Sequence, residues 1–344
     1  GEPGMALKAL DIYKVLPKKN CKECGEPTCL TFAMKLASGK GDVSLCPYLD
    51  PEARELLGAS TKPPVAKVTI GVGERSVTIG EETVFFRHEK TFVHPPGIFF
   101  EVSDLDSDEA IHAVATRVFS ESFVRIGQSL QWSGLAVRCR SQSPERYAAV
   151  VDSIEKKGYH LPLVLVADTP ALLEAALPRA GQFRPLLHAA RQDTANEMST
   201  LARNYGCPLV VADPDHDRLL SLATRSEGAI GQDLLLDASP ATLRELLVSS
   251  SRIRMEAISR VPGAGYPLYV DAGGIEGTIS AVLLAVLKFG GVIVTPPLDA
   301  ASARAALTLR QNIYTDPQRP IQMSPGLYRL GNPGPDSPVF LTVN

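Results

Sequence analysis

The chain has 344 residues, 44% hydrophobic and 21% charged, with a formal net charge of −3, which is the composition of a globular protein that buries a real core. That length exceeds the usual single domain, leaving two or three domains, or one α/β barrel with an appendage, as the options. The near-neutral balance excludes the strongly basic field of a nucleic-acid binder. The absence of a leader pattern or of about 18 consecutive apolar residues argues against secretion and membrane spanning, so a cytoplasmic location is expected.

Six cysteines are present, and four of them fall within 26 residues. Cys139 and Cys207 stand alone in apolar runs and read as small core residues. Such a distribution fits a metal site better than a disulfide framework.

Residues 5–16 carry Leu7, Leu10, Ile12, Val15 and Leu16 near a helical period, and Pro17 follows as a stop. The loop from Lys18 to Cys29 comes next, with Gly25 and Pro27 allowing the chain to fold back so that three sulfurs converge. A second helix over 30–37 presents Leu30, Met34 and Ala37 on one side, Gly39 and Gly41 end it, and Cys46-Pro47 closes the set. The spacing of Cys21, Cys24, Cys29 and Cys46 is C-x2-C-x4-C-x16-C-P. Three ligands from one tight loop and a fourth returned across a helix suit the four irons of a [4Fe-4S] cluster. Zinc is the alternative, since four-cysteine zinc sites are tetrahedral too, although they usually use two C-x-x-C knuckles and one is present here.

A short helix over 52–57 leads into Ser60-Thr61-Lys62-Pro63-Pro64, which has linker composition. The expected organisation is a cluster domain at 1–58, a linker at 59–66, a barrel at 67–325 and a tail at 326–344. Residues 67–70 and 76–79 alternate around a glycine turn and read as a hairpin. Gly71-Val72-Gly73 lacks the third glycine and the following helix of a dinucleotide site.

Eight short apolar runs then recur, at 98–102, 135–139, 163–166, 185–188, 209–211, 234–236, 268–270 and 292–294. Their near-continuous hydrophobicity marks parallel strands buried on both faces. Amphipathic stretches such as 108–125 and 241–252 lie between them. Eight such units predict an α/β fold, a (β/α)8 TIM barrel, with an open doubly wound sheet as the alternative.

Asp104, Asp168, His188, Asp213, Asp237 and Asp271 punctuate the strand ends, where a barrel places its active-site rim. They read either as a pocket for a polar heterocycle such as a pterin or as caps of the following helices. The run Asp271 to Gly277 could receive a phosphate or could simply shape a turn. His88, His94, His112, His160 and His216 have no ligand spacing with any cysteine and read as surface or packing residues.

The runs NCKECGEPTCLTFAMKLASGKGDVSLCPY, VFFRHEKTFVHPPGI and LRQNIYTDPQRPIQ together resemble the large (gamma) subunit family of corrinoid iron-sulfur proteins in the reductive acetyl-CoA (Wood-Ljungdahl) pathway. The resemblance spans essentially the whole chain. Its cysteine motif alone is also similar to that of Rnf-type electron-transfer proteins. The resemblance implies an N-terminal [4Fe-4S] domain on Cys21, Cys24, Cys29 and Cys46, a middle barrel, and a C-terminal cobalamin-binding domain of which this sequence has no counterpart. It further implies a heterodimer with the corrinoid protein small subunit. The implied partners are a methyltetrahydrofolate or tetrahydrosarcinapterin methyltransferase and acetyl-CoA synthase, and the implied role is delivery of electrons that return Co(II) to Co(I). A barrel that itself binds methyl-pterin as a methyltransferase is the competing expectation.

Overall fold

The computed structural model describes residues 9–37, 41–316, 318–319, 321, 325–329 and 332–341. Helix α1 spans Ala9–Val15, so residues 5–8 of the expected helix lie outside the described residues, as does Gly39. Helix α2, Cys29–Ala37, begins in a reciprocal cap: the Thr31 N–H donates to Thr28 Oγ1 at 3.1 Å and the Thr28 N–H donates to Thr31 Oγ1 at 3.0 Å. Helix α3 runs Pro51–Thr61, with Asp50 Oδ1 accepting from the Ala53 N–H at 2.7 Å and Pro51 pre-set for the first turn. It continues into the stretch that composition marks as linker. Ile12, Leu16, Phe32, Leu36, Val43 and Leu57 close these helices around a core of their own, which shares no residue with the barrel's clusters.

Strands β1 (Val68–Ile70) and β2 (Val77–Ile79) pair antiparallel, as the expected hairpin. The alternation that follows is β3 (Gly97–Ser103), α4 (Asp108–Ser120), β4 (Ser122–Arg125), β5 (Gln128–Gln131), β6 (Gly134–Arg138), α5 (Pro144–Lys156), β7 (Leu163–Val166) and α6 (Pro170–Ala180). It continues through β8 (Leu186–Ala190), α7 (Ala195–Tyr205), β9 (Leu209–Ala212), α8 (His216–Ile230), β10 (Leu234–Asp237) and α9 (Leu243–Ile258). The last elements are β11 (Leu268–Asp271), α10 (Thr278–Leu287), β12 (Gly290–Thr295) and α11 (Ala300–Ile313). Each of the eight apolar runs is a strand, all neighbours are parallel, and β12 pairs with β3 to close the barrel. The open sheet is thereby excluded.

Besides the longer α3, two elements differ from expectation. The stretch 108–125 is not one helix: α4 ends at Ser120, and β4 turns back into β5 through Ile126 (φ 49°) and Gly127 (φ 71°). Helix α9 starts at Leu243 and extends to Ile258, beyond the expected 252.

Because side chains alternate along a strand, the barrel interior forms layers. Phe99, Ala136, Val164, Leu186, Val210, Leu235, Tyr269 and Val292 make an apolar layer, and Val68, Ile70 and Ile79 of the hairpin pack against it from the N-terminal end of the strands. The hairpin is therefore a plug. Gly80 (φ 92°) lets the two arms of the plug lie close together, since a Cβ there would lie 1.9 Å from the carbonyl oxygen of Ala66, just before β1. Two residues further along the strands come Glu101, Arg138, His188, Asp237 and Asp271, of which Glu101, Arg138 and Asp271 line a cavity at the C-terminal mouth.

Candidate functional site

The cysteine loop is bent by residues in the left-handed region: Lys18 (φ 57°), Asn20 (φ 48°), Lys22 (φ 67°) and Gly25 (φ 81°). Asn20 clasps the third cysteine from both sides. Its Oδ1 accepts from the Cys29 N–H at 2.7 Å, and its own N–H donates to Cys29 Sγ at 3.4 Å. The fourth cysteine is held by the Arg54 guanidinium, which donates to the Cys46 carbonyl at 3.1 Å. Tyr48 donates to Glu23 Oε1 at 2.7 Å, tying the far side of the loop to the strand of chain after Cys46.

All four cysteines are free thiols. Cys29 and Cys46 are buried, at 8% and 5% exposure, while Cys24 is half-buried and Cys21 exposed. Among the described residues no three His, Cys, Asp or Glu side chains gather around one ion-sized point. A cubane asks for a wider set, because each thiolate binds a different iron. Four free thiols on one loop and one return segment, with a backbone N–H already directed at a sulfur, fit that group chemically. Cys139 and Cys207 are core residues, as expected: burial pushes their thiols up to about 11 and about 12, which leaves them unreactive.

The second candidate is the barrel mouth, a cavity of about 490 Å³ lined by Glu101, Arg138, Arg140, Gln142, Asp168 and Asp271. Arg138 donates to Glu101 Oε2 at 2.6 Å and to Asp271 Oδ2 at 2.5 Å, and Arg140 donates to Glu101 Oε1 at 3.0 Å. Burial works against the charge on Glu101, but the hydrogen bonds and charges of Arg138 and then Arg140 outweigh it and hold the carboxyl below its ordinary range. Deeper in the barrel, His188 Nε2 lies 3.0 Å from Asp237 Oδ2, and its ring sits 4.4 Å from that of Tyr269. The Tyr269 hydroxyl is buried without a hydrogen-bond partner among the described residues. Burial, then the charges of Asp271 and Asp237, raise its pKa well above the ordinary value.

The six punctuating residues divide. Asp168 and Asp271 line the mouth cavity, Asp168 accepting from Gln142 Nε2 at 3.0 Å, whereas His188 and Asp237 are buried beneath it as a pair. Asp104 instead braces the neighbouring loop, accepting from the N–H groups of Arg140 and Ser141 at 2.7 and 3.0 Å. Asp213 accepts from the Asp215 N–H at 2.9 Å and from Arg218 at 3.1 Å. The α-helices that follow are capped by other residues, Ser107 for α4 and Thr242 for α9, while Asp271 does cap the short turn after its strand. Between Asp271 and Gly277 the chain makes a short 3-10 turn closed by Asp271. His94 pairs with Glu81 at 2.7 Å, His216 with Glu256 at 2.6 Å, and His88 stacks on Phe86. Glu101, Arg138 and Tyr269 are not among the punctuating residues, although a charge inside an otherwise apolar strand is a visible signal of an inward polar layer.

Comparison with known proteins agrees with both halves. Residues 67–344 match the family described as CO dehydrogenase/acetyl-CoA synthase delta subunit, and residues 16–48 match the one described as "Putative Fe-S cluster". Across 99% of its length the chain is 38% identical to the corrinoid/iron-sulfur protein large subunit of Moorella thermoacetica, covering 77% of that protein. It is 36% identical across 97% of its length to subunit gamma of the acetyl-CoA decarbonylase/synthase complex of Archaeoglobus fulgidus, covering 76% of it. With the corresponding subunit of Methanopyrus kandleri the identity is 33% across 98% of the chain, again covering 76%. The chain thus belongs to the family of corrinoid/iron-sulfur protein large subunits, which takes in the gamma subunits of acetyl-CoA decarbonylase/synthase complexes.

Proposed function

We propose that this chain is the electron-carrying subunit of a methyl-carrying corrinoid protein, with Cys21, Cys24, Cys29 and Cys46 as ligands of a [4Fe-4S] cluster. The observation that carries this reading is the burial gradient across the four sulfurs. Cys29 and Cys46 sit against an apolar core that keeps water away, while Cys21 lies at the surface. An insulated back and an open edge are what electron entry and exit require. When bound, the cluster supplies single electrons that return cobalt(II) to cobalt(I), the state that accepts a methyl group from a methyl-pterin before transfer to acetyl-CoA synthase. Residues 1–58 would form the cluster domain, 59–66 the linker and 67–325 the barrel. The cobalamin, a small subunit forming a heterodimer, the pterin methyltransferase and acetyl-CoA synthase are the partners this role needs.

The test is reactivation. Oxidised corrinoid protein assembled with this chain should return to cobalt(I) on addition of a reductant system that acts through the cluster, followed by absorbance. The Cys29→Ala variant should not reactivate, yet should still transfer methyl groups once cobalt(I) is generated chemically. Equal reactivation by both would rule out the role.

A second reading, a methyl-pterin site in the barrel, has one observation in its favour: the polar cavity at the mouth, with a Tyr269 hydroxyl deeper in the barrel that has no hydrogen-bond partner among the described residues. Two of the cavity's carboxylates are already engaged by Arg138. Saturable calorimetric binding of methyltetrahydrofolate, lost on Asp168→Ala, would favour it.

A further inference from the structure

Lysine is distributed unevenly along the chain. Eight of 13 lysines but only one of 22 arginines fall in residues 1–62. Between Lys14 and Lys22 there are four lysines and no carboxylate, in a chain whose net charge is −3. Three of them, Lys18, Lys19 and Lys22, are exposed within three residues of exposed Cys21.

Their charges are not neutralised locally. Lys14 pairs with Asp11 at 2.8 Å and Lys35 with Glu26 at 2.6 Å. Among the described residues no carboxylate lies within ion-pair distance of Lys18, Lys19 or Lys22. The Lys18 ammonium instead lies 5.6 Å from the Tyr13 ring centroid and the Lys19 ammonium 3.8 Å from that of Tyr48. Lys18 and Lys22 also occupy left-handed backbone, where glycine or asparagine would be cheaper by about 1 kcal/mol. Beside them, Leu45 and Tyr48 flank Cys46 and are 48% and 42% exposed.

From this we infer that the Lys18–Lys19–Lys22 apron around Cys21 is the docking surface for an acidic electron-transfer protein. The inference rests on the proposed cluster role and names the partner's chemistry. A partner of net negative charge is repelled by the net charge of the chain and attracted at this apron, so the field both speeds encounter and orients the partner's redox centre toward the exposed cysteine. Lysines, unlike arginine forks, act as mobile point charges, suited to the small, short-lived interfaces of redox encounters. Leu45 and Tyr48 supply the apolar contact inside the ring of charge.

The experiment uses the full chain with its cluster reconstituted and a small ferredoxin of net negative charge as the reducing probe. Stopped-flow reduction by ferredoxin should slow about tenfold between low ionic strength and about 0.5 M salt. The triple variant Lys18→Gln, Lys19→Gln, Lys22→Gln should be about tenfold slower at low salt and lose the salt dependence, while reduction by photoexcited deazaflavin stays at the wild-type rate. A Lys→Arg triple should keep both speed and salt dependence. If the Gln triple fails to hold a cluster, the pair Lys18→Gln, Lys19→Gln, outside the C-x-x-C loop, carries the comparison. Zero-length carbodiimide cross-linking, which joins an ammonium to a carboxylate, should place the ferredoxin on these lysines. Wild-type rates and salt dependence in the Gln variants, or cross-links confined to the barrel, would overturn the inference. Loss of the cluster from wild-type protein would sink the proposed function instead, so the two failures are distinguishable.

Discussion

Removing the Arg138 guanidinium would leave Asp271 without its ion pair and Glu101 held by Arg140 alone. Arg138→Met is expected to cost roughly 2–3 kcal/mol in urea denaturation, less than a sealed pair would lose, because these side chains keep 13–31% of their surface. The Glu101 carboxyl is held below its ordinary range, so the stability it contributes is present above the unfolded value of about 4.3 and lost as pH falls through the folded one. The variant should show a smaller acid-side loss, since only Arg140 then favours the charged carboxyl. Glu155 on α5 has the opposite sign: burial raises its carboxyl to about 7, and one oxygen is buried without a hydrogen-bond partner among the described residues. Its contribution is complete below the unfolded pKa and disappears as pH rises through about 7. Glu155→Gln should therefore raise Tm, with the gain growing from pH 5 to pH 8 in thermal melts. At the level of single residues the four cysteines are candidates already in the sequence, because ligand spacing is a property of the chain. Glu101 and Arg138 are not, because their role depends on partners on other strands, Asp271 of β11 among them.

The eight barrel strands are legible as elements because each is a short apolar run buried on both faces, and the β1–β2 hairpin because its residues alternate. The β4–β5 hairpin is not. Its two-residue loop has positive φ at both Ile126 and Gly127, a geometry that normally advertises itself as Asn-Gly or Asp-Gly, and isoleucine hides it. Helix α4 accordingly reads as running on to Arg125. The plug carries its own prediction. Ile79 is fully buried against the barrel's inner layer, so Ile79→Ala should cost about 2–5 kcal/mol of barrel stability. The cluster core is separate, and iron content measured on the folded variant should stay at the wild-type level.

Over the whole molecule, two hydrophobic cores are joined through a segment in which Arg260 donates to the Lys62 carbonyl at 2.7 Å and Val65 is buried beside Ala257 and Ala264. Linker composition is visible in the sequence, but which of its residues are tied down is not, because that depends on contacts with α9 and the loop after it. A cluster unit with its own core is expected to move about Lys62. Hydrogen exchange should show residues 9–61 opening independently of the barrel, and Arg260→Ala should increase that independence without changing barrel protection. The cluster itself is open to a direct count of iron and acid-labile sulfide on anaerobically prepared full chain, with a spectrum of the reduced state. About four of each per chain are expected, retained in Cys139→Ala and lost in Cys46→Ala. One zinc per chain with no sulfide would contradict the cluster assignment.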